Sequence, residues 1–307
     1  MIDPVPLATT NAVAWVVAVA FLVAWALKSR AAAWALGSPN RVSRAVGAGA
    51  WGVFGVFWLL LVPRFLFVDR SLVEGGLSVL AVPACVYAGY LLWSGRDSLF
   101  TLTKAVAVMS IIYLPFETIA LLRETAIEAV AGQTYAVITW LGYDVVLQES
   151  PAGYQSGLAF TTGGHTYQTH IILACTGLGS MTIFAGLIAA LDAPLTRKLQ
   201  AGAAAVGIIY VLNIIRNVFI AVAFGNQWFQ VFVAQISSIV GYSDPGLVSY
   251  FIADRVIAQS LSVVALVVIA FLVARIVPEL LDLLEEALYV LTNTEVDLGR
   301  ALRVDER

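Results

Sequence analysis

Long apolar runs separated by short charged connectors organise this chain. Residues 11–27, 46–62, 77–93, 102–122, 171–191, 199–224 and 250–276 are each close to the roughly 20 apolar residues that cross a bilayer as a helix. They predict an all-α polytopic membrane protein of about seven transmembrane helices, or eight if the apolar segment between Gly225 and Ser249 also crosses. No basic segment precedes the first run, so it is expected to be a retained span. Glycines at 47, 49, 52 and 55 would let a neighbouring helix approach the second span closely.

The connectors orient these spans. Lys28, Arg30, Arg41 and Arg44, with no acid among them, mark the first connector as cytoplasmic and place the N-terminus outside. Arg64 and Arg70 are balanced by Asp69 and Glu74 in the next, which suits the outside. Arg96, Asp97 and Lys104 return the chain inside, as do Asp192, Arg197 and Lys198 later. The longest connector, 123–170, is external: Arg123 is outnumbered by Glu124, Glu128, Asp144 and Glu149. Within it, Ile127, Val130, Ala131, Ile138 and Leu141 recur near helical spacing and predict an interfacial helix. Two stretches rich in Thr, Tyr and Val, 143–150 and 157–170, suit a small β-hairpin. Residues 1–277 thus form one transmembrane domain. Residues 278–307 carry Leu280, Leu281, Leu284, Leu288 and Leu291 among eight acids and three arginines, a cytoplasmic amphipathic helix and tail whose charges are expected to form a solvated face.

Composition removes the soluble alternative. With 60% hydrophobic and 12% charged residues, the chain cannot be a water-soluble globule. A net charge of −3 offers no basic surface, so nucleic acid is not an expected partner. Cys85 and Cys175, the two cysteines, lie in separate apolar runs and suggest neither a disulfide framework nor a zinc site. No HExxH occurs, and nothing in the chain calls for a metal or a cofactor.

Candidate chemistry gathers at one depth. At about 1.5 Å per residue, Cys175 lies roughly 6 Å, Arg255 roughly 8 Å and Arg216 about 12 Å from the outer ends of their predicted spans. Cys85 has no polar neighbour and reads as apolar filler. Cys175 falls in the first turn of its predicted helix, where the positive end of the dipole favours a thiolate, with Gly177 and Gly179 leaving its surroundings open. Arg216 is flanked by Asn213 and Asn217, a polar cluster facing a bundle interior, and intramembrane arginine is a functional candidate by default. Arginine cannot accept a proton, but it can hold a thiolate or a developing oxyanion, which suits acyl transfer by cysteine. His170, five residues before Cys175, is either an accessory base or a polar cap, and His165 a polar cap. Two other classes fit the same residues: a transporter or lipid-headgroup binder using Arg216 and Arg255 for phosphate, and a structural partner in an envelope assembly.

The segments ACTGLGSM around Cys175, IIRN around Arg216 and ADR around Arg255, in that order at the outer ends of late spans, resemble the exosortase/archaeosortase family, and its archaeosortase branch most. The resemblance covers residues 102–275 or so. It implies a cysteine nucleophile at Cys175, an essential arginine at Arg216 and a third catalytic residue at Arg255. Bacterial members usually carry histidine at that third place, and many relatives have serine where Thr176 stands here. It further implies a transpeptidase that cuts the C-terminal sorting signal of surface proteins of the S-layer glycoprotein type. That signal comprises a Pro-Gly-Phe motif, an apolar helix and a basic tail, and a membrane lipid would accept the new end.

Overall fold

A computed structural model describes residues 7–28, 39–68 and 72–302. Arg30, Asp69 and Arg70, used above to orient the connectors, lie outside the described residues, as does the tail beyond residue 302. Among the described residues, six helical spans are long and apolar enough to cross a membrane, and a shorter apolar helix joins them. The chain divides into two compact units, one drawn from Met1–Thr118, Thr182–Ala203 and Val273–Arg307, the other from Ile119–Met181 and Ala204–Leu272.

In the first unit, α1 (Leu7–Lys28), α2 (Pro39–Pro63, followed by a π-helical turn Arg64–Val68), α3 (Leu72–Ser94) and α4 (Leu99–Thr118) are apolar on nearly every face. Such helices need lipid or one another for partners. Their shared core is aromatic: Phe21 meets Trp51 edge-on at 5.1 Å and Phe54 at 5.6 Å. The Trp51 indole donates to Thr103 Oγ1 at 3.1 Å, so this polar edge is satisfied inside the core. Connector charges are also paired: Asp97 accepts from Lys28 and Arg44, each at 2.8 Å.

The C-terminal helix belongs to this unit. It runs from Glu279 to Thr292 and buries Leu280, Leu281 and Leu283. Leu291, expected on the apolar face, is exposed. Its charges are not simply a solvated face: Arg96 pairs with Glu286 at 2.8 Å and stacks on Tyr289, and Arg197 pairs with Glu279 at 2.9 Å. Packing on α3 and α4 brings those acids to basic side chains that sequence spacing alone does not align with them.

The second unit opens with α5 (Ala120–Trp140), entered through a single extended residue, Ile119. The apolar stripe Ile127, Val130, Ala131 and Ile138 is buried here, with Thr134, and α5 packs against β2. Three strands follow, β1 (Val146–Glu149), β2 (Gln155–Thr162) and β3 (His165–His170), antiparallel in the order β1-β2-β3. The predicted hairpin is thus extended to three strands. Its second stretch folds on itself, with Thr162 opposite His165 and a two-residue turn at Gly163-Gly164, both at positive φ, as tight hairpin turns require.

The predicted span at 171–191 is not one helix. A 3₁₀ turn, Leu173–Thr176, precedes α6 (Leu178–Ala190), which has only 13 residues. Next come α7 (Leu195–Gly225) and a short α8 (Val233–Val240). At about 1.5 Å per residue an 8-residue helix reaches roughly 12 Å, too short for an eighth crossing. Finally α9 (Leu247–Tyr250), a π-helical segment Phe251–Ala258 and α10 (Gln259–Ile276) continue as one 30-residue span.

Candidate active site

Cys175 sits in the 3₁₀ turn, not in the first turn of the following helix as expected. Ile172 enters in extended conformation, and the Cys175 amide donates back to the Ile172 carbonyl at 2.8 Å. Gly177 ends the turn at φ 78°, a left-handed conformation that breaks the helix before it reaches the cysteine. A Cβ on Gly177 would also lie 3.0 Å from the side chain of Asn213. Cys175 as a residue is half-buried, and Thr176 beside it is buried and closes the turn through its hydroxyl, which donates to the Leu173 carbonyl at 2.6 Å. Helix α5 also packs on this turn.

Helix α7 holds the turn in place. Asn213, Arg216 and Asn217 are spaced three and four residues apart and share one face. The amides of Asn213 and Asn217 both donate to the Cys175 carbonyl, each at 2.8 Å. Between them on the same face stands Arg216, close enough to the Cys175 thiol to act on it electrostatically. Both asparagines are nearly buried, at 9% and 3% exposure, so they act as fixed donors.

The third side is the π-helical segment. One extra residue per turn is a local irregularity that often marks functional positions in helices. It carries Asp254 and Arg255. Asp254 is 6% exposed, and its Oδ1 accepts from Arg216 Nη2 at 2.5 Å. Its Oδ2 lies 3.5 Å from Arg255 Nε. Tyr250, one turn earlier, stands within electrostatic reach of both Asp254 and Cys175. The short α9 that leads into the segment is fixed to the end of α7 by Ser249, whose hydroxyl donates to the Ala223 carbonyl and accepts from the Phe229 amide. Nearby, Thr162 of β2 donates to the Gly225 carbonyl at 2.8 Å, tying the sheet to the same helix end.

Cys175, Arg216, Arg255, Asn213 and Asn217 are therefore brought together. His170 closes β3, opposite Gly157. Burial pushes the His170 imidazole below its ordinary range, which favours the neutral ring. His165 stacks on Tyr167 in the hairpin. Two members of the cluster were missed in the sequence, Asp254 and Tyr250. An acid beside an arginine in an apolar span was a visible signal for the first, since intramembrane charges seek partners; nothing in the pattern distinguished Tyr250 from other tyrosines. Among the described residues, no group of three or more His, Cys, Asp or Glu side chains is placed to hold a metal ion.

These features belong to a known class of membrane protein. Residues 8–251 match the family described as transmembrane exosortase, and the chain belongs to that family. It is 45% identical over 306 residues to archaeosortase A of Haloferax volcanii, covering 96% of this chain and 98% of that one. It is also 46% identical over 286 residues to archaeosortase A of Natronomonas pharaonis, covering 92% and 89%. No solved structure matches the chain. The family match contains Cys175 and Arg216 and ends at residue 251, before Asp254 and Arg255, which lie within the 96% of this chain aligned to the Haloferax volcanii relative.

Proposed function

We propose that this multi-pass membrane protein is a cysteine transpeptidase acting at the extracytoplasmic face. Its substrate would be a surface protein with a C-terminal Pro-Gly-Phe-type sorting signal, and its product that protein joined to a membrane lipid. The similarity to archaeosortase A proteins supports the substrate class. The observation that carries the chemistry is that α7 grips the Cys175 carbonyl through Asn213 and Asn217 and presents Arg216 on the same face. A fixed cation there favours the thiolate and offers a donor to charge developing on a carbonyl oxygen.

In this mechanism the Cys175 sulfur attacks the scissile carbonyl carbon, and Arg216 and Arg255 stabilise the tetrahedral oxyanion. The C–N bond breaks, the proton lost from the thiol ends on the leaving amine, and the substrate remains as a Cys175 thioester. A headgroup amine or hydroxyl then attacks the thioester, and its proton returns to the sulfur as the cysteine is released. Asn213 and Asn217 keep the Cys175 backbone fixed throughout, so attack needs little rearrangement.

The test is complementation of cells lacking this protein with wild type, Cys175→Ala or Cys175→Ser at matched membrane abundance, following mobility and lipid labelling of a surface protein that bears the signal. Wild type restores both and Cys175→Ala restores neither. Restoration by Cys175→Ala, with loss only in Arg216→Ala, would instead support a phosphate-binding transporter or headgroup binder.

A further inference from the structure

We infer that Asp254 is the positioning residue of this site, a single carboxylate that aims Arg216 at the Cys175 sulfur and ties Arg255 to the same centre. The inference rests on the acyl-transfer function proposed above. Four observations carry it. The two carboxylate oxygens divide their partners, Oδ1 taking Arg216 at 2.5 Å and Oδ2 facing Arg255 at 3.5 Å. The side chain is 9% exposed, against 26% for Arg216 and 25% for Arg255, so the acid is the inner member and the guanidiniums the outer ones. Asp254 projects from a π-helical segment, whose wider turn changes the direction of side chains relative to a regular helix. Arg216 pairs with Asp254 from the face of α7 whose Asn213 and Asn217 grip Cys175, so fixing its planar fork at the carboxylate also fixes it relative to the cysteine.

Charge balance gives this arrangement a second consequence. Arg216 and Arg255 contribute two positive charges and Asp254 one negative, so the cluster becomes neutral when Cys175 carries a thiolate. Tyr250 is the remaining titratable group at the thiol. Without the carboxylate, the positive charge of Arg216 near the sulfur would be unopposed, holding the thiolate more tightly, but Arg216 would no longer be directed. Thiol reactivity and productive turnover would then move in opposite directions. A carboxylate that merely supported folding would lower both.

The experiment uses the full-length protein in native membranes, in a Cys85→Ala background so that Cys175 is the only thiol. Asp254→Asn is compared with the parent for alkylation of Cys175 by iodoacetamide at neutral pH and for processing of the signal-bearing substrate. The expected result is alkylation about tenfold faster, processing at least tenfold slower, and a loss that falls on kcat with KM retained. Asp254→Glu keeps the charge but displaces the oxygens; it is expected to leave alkylation near the parent value while processing still falls at least tenfold. If Asp254→Asn does not accumulate, Asp254→Glu decides the matter alone. Parent-level processing by either variant overturns the inference, as does alkylation that slows together with processing in Asp254→Asn. Cys175→Ala is run alongside: if it processes substrate normally, the acyl-transfer function fails, whereas an inactive Cys175→Ala with a fully active Asp254→Asn removes the role of Asp254 alone.

Discussion

The amide of Asn217 donates to the carbonyl of Cys175 at 2.8 Å from a helix 42 residues further along the chain. Asn213 makes the same contact from one turn earlier. The cysteine is therefore held by its backbone while its sulfur is left to Arg216. Losing one of two buried donors costs about 1–3 kcal/mol, because the remaining polar groups are hard to satisfy elsewhere. Asn217→Ala should reduce substrate processing about tenfold at unchanged membrane abundance, and the Asn213→Ala, Asn217→Ala double variant should lose more than either alone. Processing rates measured against membrane-normalised protein check both statements.

Gly177 is the joint between the turn and α6. A side chain in the left-handed region costs roughly 1–2 kcal/mol, and here the added Cβ would also press on Asn213. Gly177→Ala should lower both thermal stability in detergent and processing, whereas Gly179→Ala, which meets nothing within 4 Å, should leave stability unchanged. A thermal midpoint for each variant separates the two cases.

His170 gives a pH dependence whose sign is fixed by burial. Its folded-state pKa is lowered, so the unfolded chain binds the proton more readily. The stability it contributes is present above the ordinary imidazole value of about 6.5 and is lost as pH falls below it. Thermal midpoints in detergent between pH 5 and 7 should therefore drop on the acid side, and His170→Gln should flatten that drop. The same variant should process substrate at close to the wild-type rate, because the proposed mechanism asks nothing of this ring.

Asp97 offers a separate control in the other unit. Hydrogen bonding by Arg44, and then by Lys28, holds its carboxyl at about 2, against desolvation that works the other way. Its contribution is present above the ordinary carboxylate range and disappears as pH falls toward 2. The side chain is 37% exposed, so solvent screening keeps the effect below about 1 kcal/mol. Asp97→Asn should lower the thermal midpoint slightly at pH 7 and leave processing per molecule unchanged.

The spans were legible because hydrocarbon accepts only helices with apolar surfaces, and mean hydropathy reports that surface directly. The same averaging hid the break at 171–191. Gly177 and the extended Ile172 are apolar or neutral residues, so their backbone geometry leaves no trace in a hydropathy pattern. Asn213 and Asn217 stood out because amides in an apolar helix need partners, and Cys175 supplies one. Asp254 escaped because Arg255 beside it drew the functional assignment, although a carboxylate needs an intramembrane partner as much as a guanidinium does. The sheet was underestimated by one strand: the Gly163-Gly164 turn lies inside a stretch taken as a single extended segment. The ion pairs of the C-terminal helix depend on tertiary packing, which its own periodicity does not encode.

The most direct test of the acyl-transfer account is capture of the thioester. Native membranes holding wild type, Cys175→Ala or Cys175→Ser would be supplied with a tagged signal-bearing substrate under conditions that limit lipid acceptor, then resolved with and without neutral hydroxylamine. The account predicts a covalent adduct of substrate and enzyme in wild type that hydroxylamine releases, and no adduct in Cys175→Ala. Cleavage of the substrate by Cys175→Ala at the wild-type rate, with no hydroxylamine-sensitive adduct in any sample, would contradict it.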